Sequence, residues 1–276
     1  LARIVRLGER SCVLRRSADD TDPTERVVVA NANQLVIVVA AANPQPRTGF
    51  IDRAVVAAYD AGIEPILCVT KTDIRHPQEL LDYYQRSGLR IVLSAASDGR
   101  APSEEGAEGL TTGPVRELLG DLLGNVSVLL GHSGVGKSTL VNALTGADRA
   151  TGHVNSVTGR GRHTSSSALA LQPASDAGVE VPAGTWIIDT PGIRSFGLAH
   201  VSMQKVVEAF PDLAPGAVEC PRGCAHTGDS SGCGITAYVA RGEAGPSGAD
   251  RLASMRKLLA APDQAGNDEK ELGSLT

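Results

Sequence analysis

Short apolar runs alternate with amphipathic segments along most of this chain. Val27 to Ala30 and Leu35 to Val39 are β-branched runs of strand length with little alternation, the pattern of strands buried on both faces of a parallel sheet. Ile51 to Ala61 carries apolar residues at helical spacing and stops at Gly62. Pro65 to Val69 then reads as strand, Glu79 to Arg86 as helix and Arg90 to Leu93 as strand. Asp98 to Gly113 has no apolar period and reads as a surface loop, after which Pro114 suits the first turn of a helix through Leu123. Val126 to Leu130 is the next buried strand, followed by a glycine-rich turn and a helix from about Lys137 to Leu144. Ala150 to Ser167 is a polar, basic loop, and Val179 to Val181 with Thr185 to Ile188 reads as a hairpin around Pro182-Ala183-Gly184. Beyond Gly197 the chain turns helical, from Ser202 to Phe210, and then cysteine-rich. Strand and helix alternate, so the fold class is α/β.

Composition narrows the picture. A chain of 276 residues, 42% hydrophobic and 21% charged, suits one large domain and a smaller one, and is not dominated by disorder. The longest apolar run, Leu35 to Ala42, falls far short of the roughly 20 residues of a membrane helix, so no membrane partner is expected. Five cysteines, three of them crowded at Cys220, Cys224 and Cys233, fit a reducing, cytoplasmic setting better than a secreted disulfide framework. The net charge of −5 argues against a surface basic over its whole extent, but the charge is uneven. Arg3, Arg6, Arg10, Arg15 and Arg16 against Glu9 make the leader +4, and the residues from Pro262 onward carry −3, as expected of a solvated acidic tail. Leu1 is not an initiator methionine. The start reads as cut or processed, with nothing resembling a signal peptide.

Three motifs carry chemistry. Gly131-His132-Ser133-Gly134-Val135-Gly136-Lys137-Ser138 matches the G-x-x-x-x-G-K-[ST] phosphate loop and lies between a buried strand and a helix, as that loop requires. Its glycines turn backbone amides toward phosphate oxygens, Lys137 reaches the outer phosphates and Ser138 offers a hydroxyl to Mg²⁺, with Thr139 following in the first helical turn. Asp189-Thr190-Pro191-Gly192 ends a strand, where Asp189 is expected on the metal side and the Gly192 amide at the γ-phosphate. Thr70-Lys71-Thr72-Asp73 follows another strand. A carboxylate there accepts two hydrogen bonds from guanine that adenine does not offer, and Ser94-Ala95 closes the next strand, placed to give an amide to the base carbonyl. These features favour GTP over ATP.

Cys220, Cys224, His226 and Cys233 supply three sulfur ligands and one imidazole, the set of a closed structural zinc site. Pro221, Gly223, Gly232 and the polar residues between them make a poor apolar core, which disfavours three buried free thiols.

These motifs resemble those of the GTPases, but with the base-reading pair ahead of the phosphate loop, the order of the circularly permuted GTPases. With the cysteine cluster downstream, the chain resembles the ribosome small subunit-dependent GTPase A family, RsgA/YjeQ, from about Val27 to Ala260. Permutation is tolerable because all these loops lie at the carboxyl edge of one parallel sheet. The resemblance implies a remnant of an N-terminal OB-fold over residues 1–26, a permuted GTPase domain over 27–200, a zinc-binding C-terminal domain over 201–261 and a flexible tail over 262–276. It further implies a monomer that hydrolyses GTP to GDP, with Mg²⁺ and one zinc, in late maturation of the small ribosomal subunit, whose rRNA it contacts and which stimulates it. Thr70 stands where the family more often has Asn, and Ile193 stands where a water-orienting Gln would follow the Asp189 motif. The loop Gly159 to Ser165 resembles the family's first switch, with Thr164 as a Mg²⁺ ligand and His163 as candidate for the catalytic role. Arg160 and Arg162 are open to two roles, transition-state charge or rRNA phosphates. Two other readings stay open: a GTP-sensing RNA-binding scaffold that no longer hydrolyses, and a permuted GTPase of large-subunit assembly.

Overall fold

The computed structural model describes residues 8–17, 24–95, 113–147, 168–174, 179–192, 196–228 and 230–260. The elements run β1 (Val13–Ser17), β2 (Glu25–Ala30), β3 (Gln34–Ala40), α1 (Thr48–Asp60), β4 (Glu64–Thr70), α2 (Gln78–Tyr84), β5 (Arg90–Leu93), α3 (Gly113–Leu122), β6 (Val126–Gly131), α4 (Lys137–Thr145), β7 (Leu169–Leu171), β8 (Trp186–Asp189), α5 (Met203–Glu208), α6 (Ala214–Ala217), α7 (Gly234–Ala240) and α8 (Gly248–Leu259).

Among the described residues the main sheet has the order β5-β4-β3-β6-β8-β7, parallel throughout except for β7, which pairs antiparallel with β8 at the edge. All seven residues of β3 are buried, as a central strand covered on both faces requires. Its side chains alternate. Leu35, Ile37 and Val39 enter a core with α1, α2 and the C-terminal helices, whereas Val36, Val38 and Ala40 enter one with α3 and α4. The α/β class and the alternation expected from sequence are therefore present.

Two expectations need correction. Val27 to Ala30 does not belong to the parallel sheet: β2 pairs antiparallel with β1 in a separate ribbon, and Val27 is 52% exposed. A ribbon pairs along one edge and buries mainly one face, and Leu14 of β1 supplies the buried contact with the α1-side core. The ribbon meets the rest of the chain where the Ser17 and Gly197 backbones exchange hydrogen bonds of 3.1 and 3.3 Å. The second correction concerns the hairpin. Residues 179–182 form no strand, and the antiparallel partner of β8 is β7. The turn itself exists, because the Pro182 carbonyl accepts from the Thr185 amide at 3.2 Å and from its hydroxyl at 2.8 Å.

The C-terminal helices pack on the α1 face. Ser202 caps α5 by accepting from the Lys205 amide, which satisfies one amide that a helix start leaves unpaired. Arg251 of α8 lies at the centre of this interface, 3% exposed. Its guanidinium donates to both oxygens of Asp212, at 2.8 and 3.0 Å, and to Asp52 of α1 at 2.8 Å. Phe210 stacks beneath it, 4.4 Å from ring centroid to guanidinium carbon. Truncating one partner of such a buried pair costs about 3–5 kcal/mol, because a charge is left without compensation.

Candidate functional site

The carboxyl ends of β4, β6 and β8 gather the motif residues. Gly131 ends β6 so close to β3 that a Cβ there would lie 2.5 Å from the Val38 carbonyl oxygen, so glycine is required by contact. The chain then turns through Gly134 and Gly136, both at positive φ, and enters α4 at Lys137. This geometry turns successive amides of residues 133–138 around the start of α4, the arrangement that binds anions. Gly192 lies against this turn, its Cβ position 3.2 Å from the Ser133 amide nitrogen.

Lys137 is buried, and its ammonium forms an ion pair with Asp189 and donates to the Thr190 carbonyl at 2.5 Å. The Thr190 hydroxyl in turn donates to the Leu129 carbonyl of β6 at 2.7 Å, fixing the Asp189-Thr190 turn to the strand that carries the loop.

The Thr70-Lys71-Thr72-Asp73 turn clamps the same loop from the other side. The Thr70 hydroxyl donates to the Val135 carbonyl and lies 3.2 Å from the Val39 carbonyl. The Lys71 ammonium donates to the Gly134 carbonyl at 2.8 Å and to the Asn43 carbonyl. Burial lowers the Lys71 pKa, and the charge of Asp73 opposes that shift. Asp73 itself is exposed in the turn. Beside this clamp is a cavity of about 100 Å³ lined by Thr70, Lys71, Ser94, Ala95, Gly136 and Thr139, and walled by Val115, Leu140 and Ala143. The Ser94 amide is used internally, donating to the Val69 carbonyl at 2.7 Å, and the Ser94 carbonyl accepts from the Thr72 amide and hydroxyl.

A second cluster lies between α6 and α7. Cys220, Cys224, His226 and Cys233 bring four donor atoms within 4.8 Å of one another, the donor set for a metal ion. Burial pushes the Cys233 thiol up, but hydrogen bonds from the Thr236 side chain and backbone, from His226 and from Cys224 outweigh it and bring the pKa down to about 6. The metal loop is braced from α8, where Arg256 donates to the His226 carbonyl at 3.1 Å and to the Thr236 hydroxyl at 2.7 Å.

Ser133, Val135, Ser138 and Thr139 thus lie on the loop and the first turn of α4, together with Lys137, Asp189, Gly192 and the residues of the Thr70 turn. His163, Thr164, Arg160, Arg162 and Ile193 lie outside the described residues. Sequence reasoning did not single out His132, whose ring lies 4.2 Å from that of Phe50, or the Asp52–Arg251–Asp212 network. Asp52 left one signal, an acid inside the apolar helical run that starts at Ile51.

A family model described as RsgA GTPase matches residues 7–199. The small ribosomal subunit biogenesis GTPase RsgA of Pseudomonas aeruginosa PAO1 is 36% identical over 242 residues, covering 85% of this chain and 64% of that protein. The protein of the same name from Chlorobaculum parvum is 33% identical over 270 residues, covering 95% and 79%. The chain therefore spans about 64% of the length of its Pseudomonas relative. Among solved structures, YjeQ from Thermotoga maritima superposes with a TM-score of 0.62 at 23% identity, covering 92% of this chain and 78% of the other. YloQ, described as a circularly permuted GTPase, gives 0.56 at 21%, covering 92% and 74%. At these identities the structural likeness is one of fold. A phosphate-loop motif between β6 and α4, the Thr70–Asp73 turn that precedes it in the chain and clamps it, and a family model matched over residues 7–199 lead to one assignment: the chain belongs to the RsgA GTPase family.

Proposed function

We propose that the chain hydrolyses GTP and serves the assembly of the small ribosomal subunit in the cytoplasm. The observation that carries this reading is the meeting of the phosphate loop, Asp189 and the Thr70–Asp73 turn at the carboxyl edge of one sheet. The names of its relatives supply the assembly role.

In this reading the amides of residues 133–138 cradle the nucleotide phosphates, and the cavity beside Ser94 and Ala95 receives the base, with Asp73 selecting guanine. The Lys137 ammonium exchanges Asp189 for phosphate oxygens on nucleotide binding. Ser138, Thr164 and Asp189 would hold Mg²⁺ through oxygen donors, and the ion would neutralise charge on the phosphates. His163 orients the attacking water, since Ile193 has no polar group to do so.

The metal of the second cluster is assigned as zinc. A tetrahedron with Zn–S near 2.3 Å has edges of about 3.8 Å. The Cys220–Cys233 sulfurs lie 4.0 Å apart, and the His226 Nδ1 lies 3.5 and 3.9 Å from these two sulfurs. Four protein ligands leave no open position, so the ion organises the fold rather than reacting.

GTP turnover measured with and without purified small and large subunits tests the reading. Stimulation by the small subunit is expected. Absence of turnover under all conditions refutes hydrolysis, and stimulation by the large subunit alone refutes the partner.

A further inference from the structure

We propose that Phe50 is a positioning residue for the phosphate loop, and that α8 of the C-terminal unit holds it in place through the buried Arg251–Asp52 ion pair. The inference rests on the reading that the loop binds a guanine nucleotide.

The argument begins at α8. Arg251 is locked to Asp212 by two hydrogen bonds through Nε and Nη2, so its Nη1 reaches α1 from a fixed direction. Asp52 accepts it at 2.8 Å, and also accepts from Tyr84 at 2.9 Å, Tyr83 at 3.0 Å and Ser254. A carboxylate so fully satisfied, with its side chain 1% exposed, has one low-energy position. That position fixes the first turns of α1.

Two residues before Asp52, the buried Phe50 lays its ring against His132, with centroids 4.2 Å apart and the planes at 43°. His132 directly follows Gly131, which lies so close to β3 that a Cβ there would meet the Val38 carbonyl. The segment leading into α1 is tied to the loop a second time, through Lys71, which bridges the Asn43 and Gly134 carbonyls. The start of α1 is therefore held at one side by α8 and at the other by the loop. Close-packed elements of this kind shift together rather than deform. The route is separate from the chain connection beyond Gly192.

Release of a fluorescent GDP analogue from the full chain, followed by stopped flow, tests this, with thermal unfolding recorded on each variant. R251K keeps the charge but loses the planar fork, and F50L keeps apolar volume but loses the ring contact. Each is expected to speed release about fivefold. In the double variant release is expected to be no faster than in F50L alone, while the losses in thermal stability still add. Unchanged release in the single variants, or a multiplicative increase of about 25-fold in the double variant, overturns the proposal. Should R251K fail to fold, Tyr84→Phe removes one donor to Asp52 while keeping the ring, and the same comparison applies with about a twofold effect. A wild-type chain that binds no guanine nucleotide would instead refute the nucleotide reading.

Discussion

Lys137 and Asp189, 52 positions apart in the chain, form an ion pair with both side chains buried. Nucleotide binding in the proposed manner must open this pair. Lys137→Ala is expected to weaken GDP binding about 10- to 100-fold, the range for a lost hydrogen bond to a charged group. Asp189→Asn should bind metal-free GDP nearly as the wild type does, yet gain nothing from added magnesium. Calorimetry with and without the metal checks both, and a magnesium gain that persists in Asp189→Asn removes that residue from the metal side.

Thr70 holds the loop through its side-chain hydroxyl. Thr70→Val keeps the shape but leaves the Val135 carbonyl without its donor, a loss of about 1–3 kcal/mol in stability. Thr70→Ser retains the donor and should stay near wild type in both thermal unfolding and GDP affinity. Equal behaviour of the two variants would show that the hydroxyl bond contributes nothing.

Metal removal should act locally first. On chelation, amide exchange is expected to rise through Cys220–Ala240, and then in α8, whose Arg256 grips the His226 carbonyl. GDP binding persists in part, with faster release. Complete loss of binding at the first stage of chelation would mean that the cysteine cluster and the nucleotide loop do not unfold in sequence.

His163→Ala is expected to bring subunit-stimulated turnover down to the unstimulated rate while leaving GTP affinity within about twofold. Unaltered stimulation in that variant takes His163 out of the mechanism.

Alkaline stability offers a separate reading of the α1–α8 interface. Burial first, and then the Asp52 charge, raise the Tyr83 pKa to about 12, against about 10 in an unfolded chain. A raised folded pKa gives stability that is complete below the unfolded value and is lost as the pH climbs through the folded one. Wild type should therefore weaken between pH 10 and 12, and Tyr83→Phe should weaken less. Denaturant titrations across that range measure the difference, and parallel curves would refute it.

Sequence alone exposed those parts of the molecule whose constraint is local. The six apolar residues Leu35 to Ala40 of β3 read as a strand covered on both faces, and the first glycine of the loop follows from backbone approach at Gly131. Val27 to Ala30 has the same composition as a core strand, but its partner is β1, and no local feature says which sheet a strand joins. β7 escaped notice because three residues are too few to display a period. Asp52 and Arg251 are 199 positions apart, and each reads singly as a polar residue on an amphipathic helix. The Cys220, Cys224, His226 and Cys233 cluster was legible because its chemistry is written in residue type and short spacing. The loop clamp was legible only as a motif, since the bonds from Thr70 and Lys71 depend on carbonyls 63 to 65 residues away.

The order of strands also sets the order of birth. Of the main sheet, β3, β4 and β5 leave the ribosome before β6 and pair as neighbours, so the half of the sheet that carries the Thr70 turn has its hydrogen bonds early. The other edge of β3 must wait for β6, whose Ser127 pairs with Gln34 some 93 residues later. Until then a strand that ends up buried along its whole length presents an open edge, the kind of edge along which unfinished chains join one another. Rotating the chain order of this sheet leaves the finished site intact and moves the hazard into synthesis, where the phosphate-loop strand covers the open edge of β3 and β8 follows, bringing Asp189.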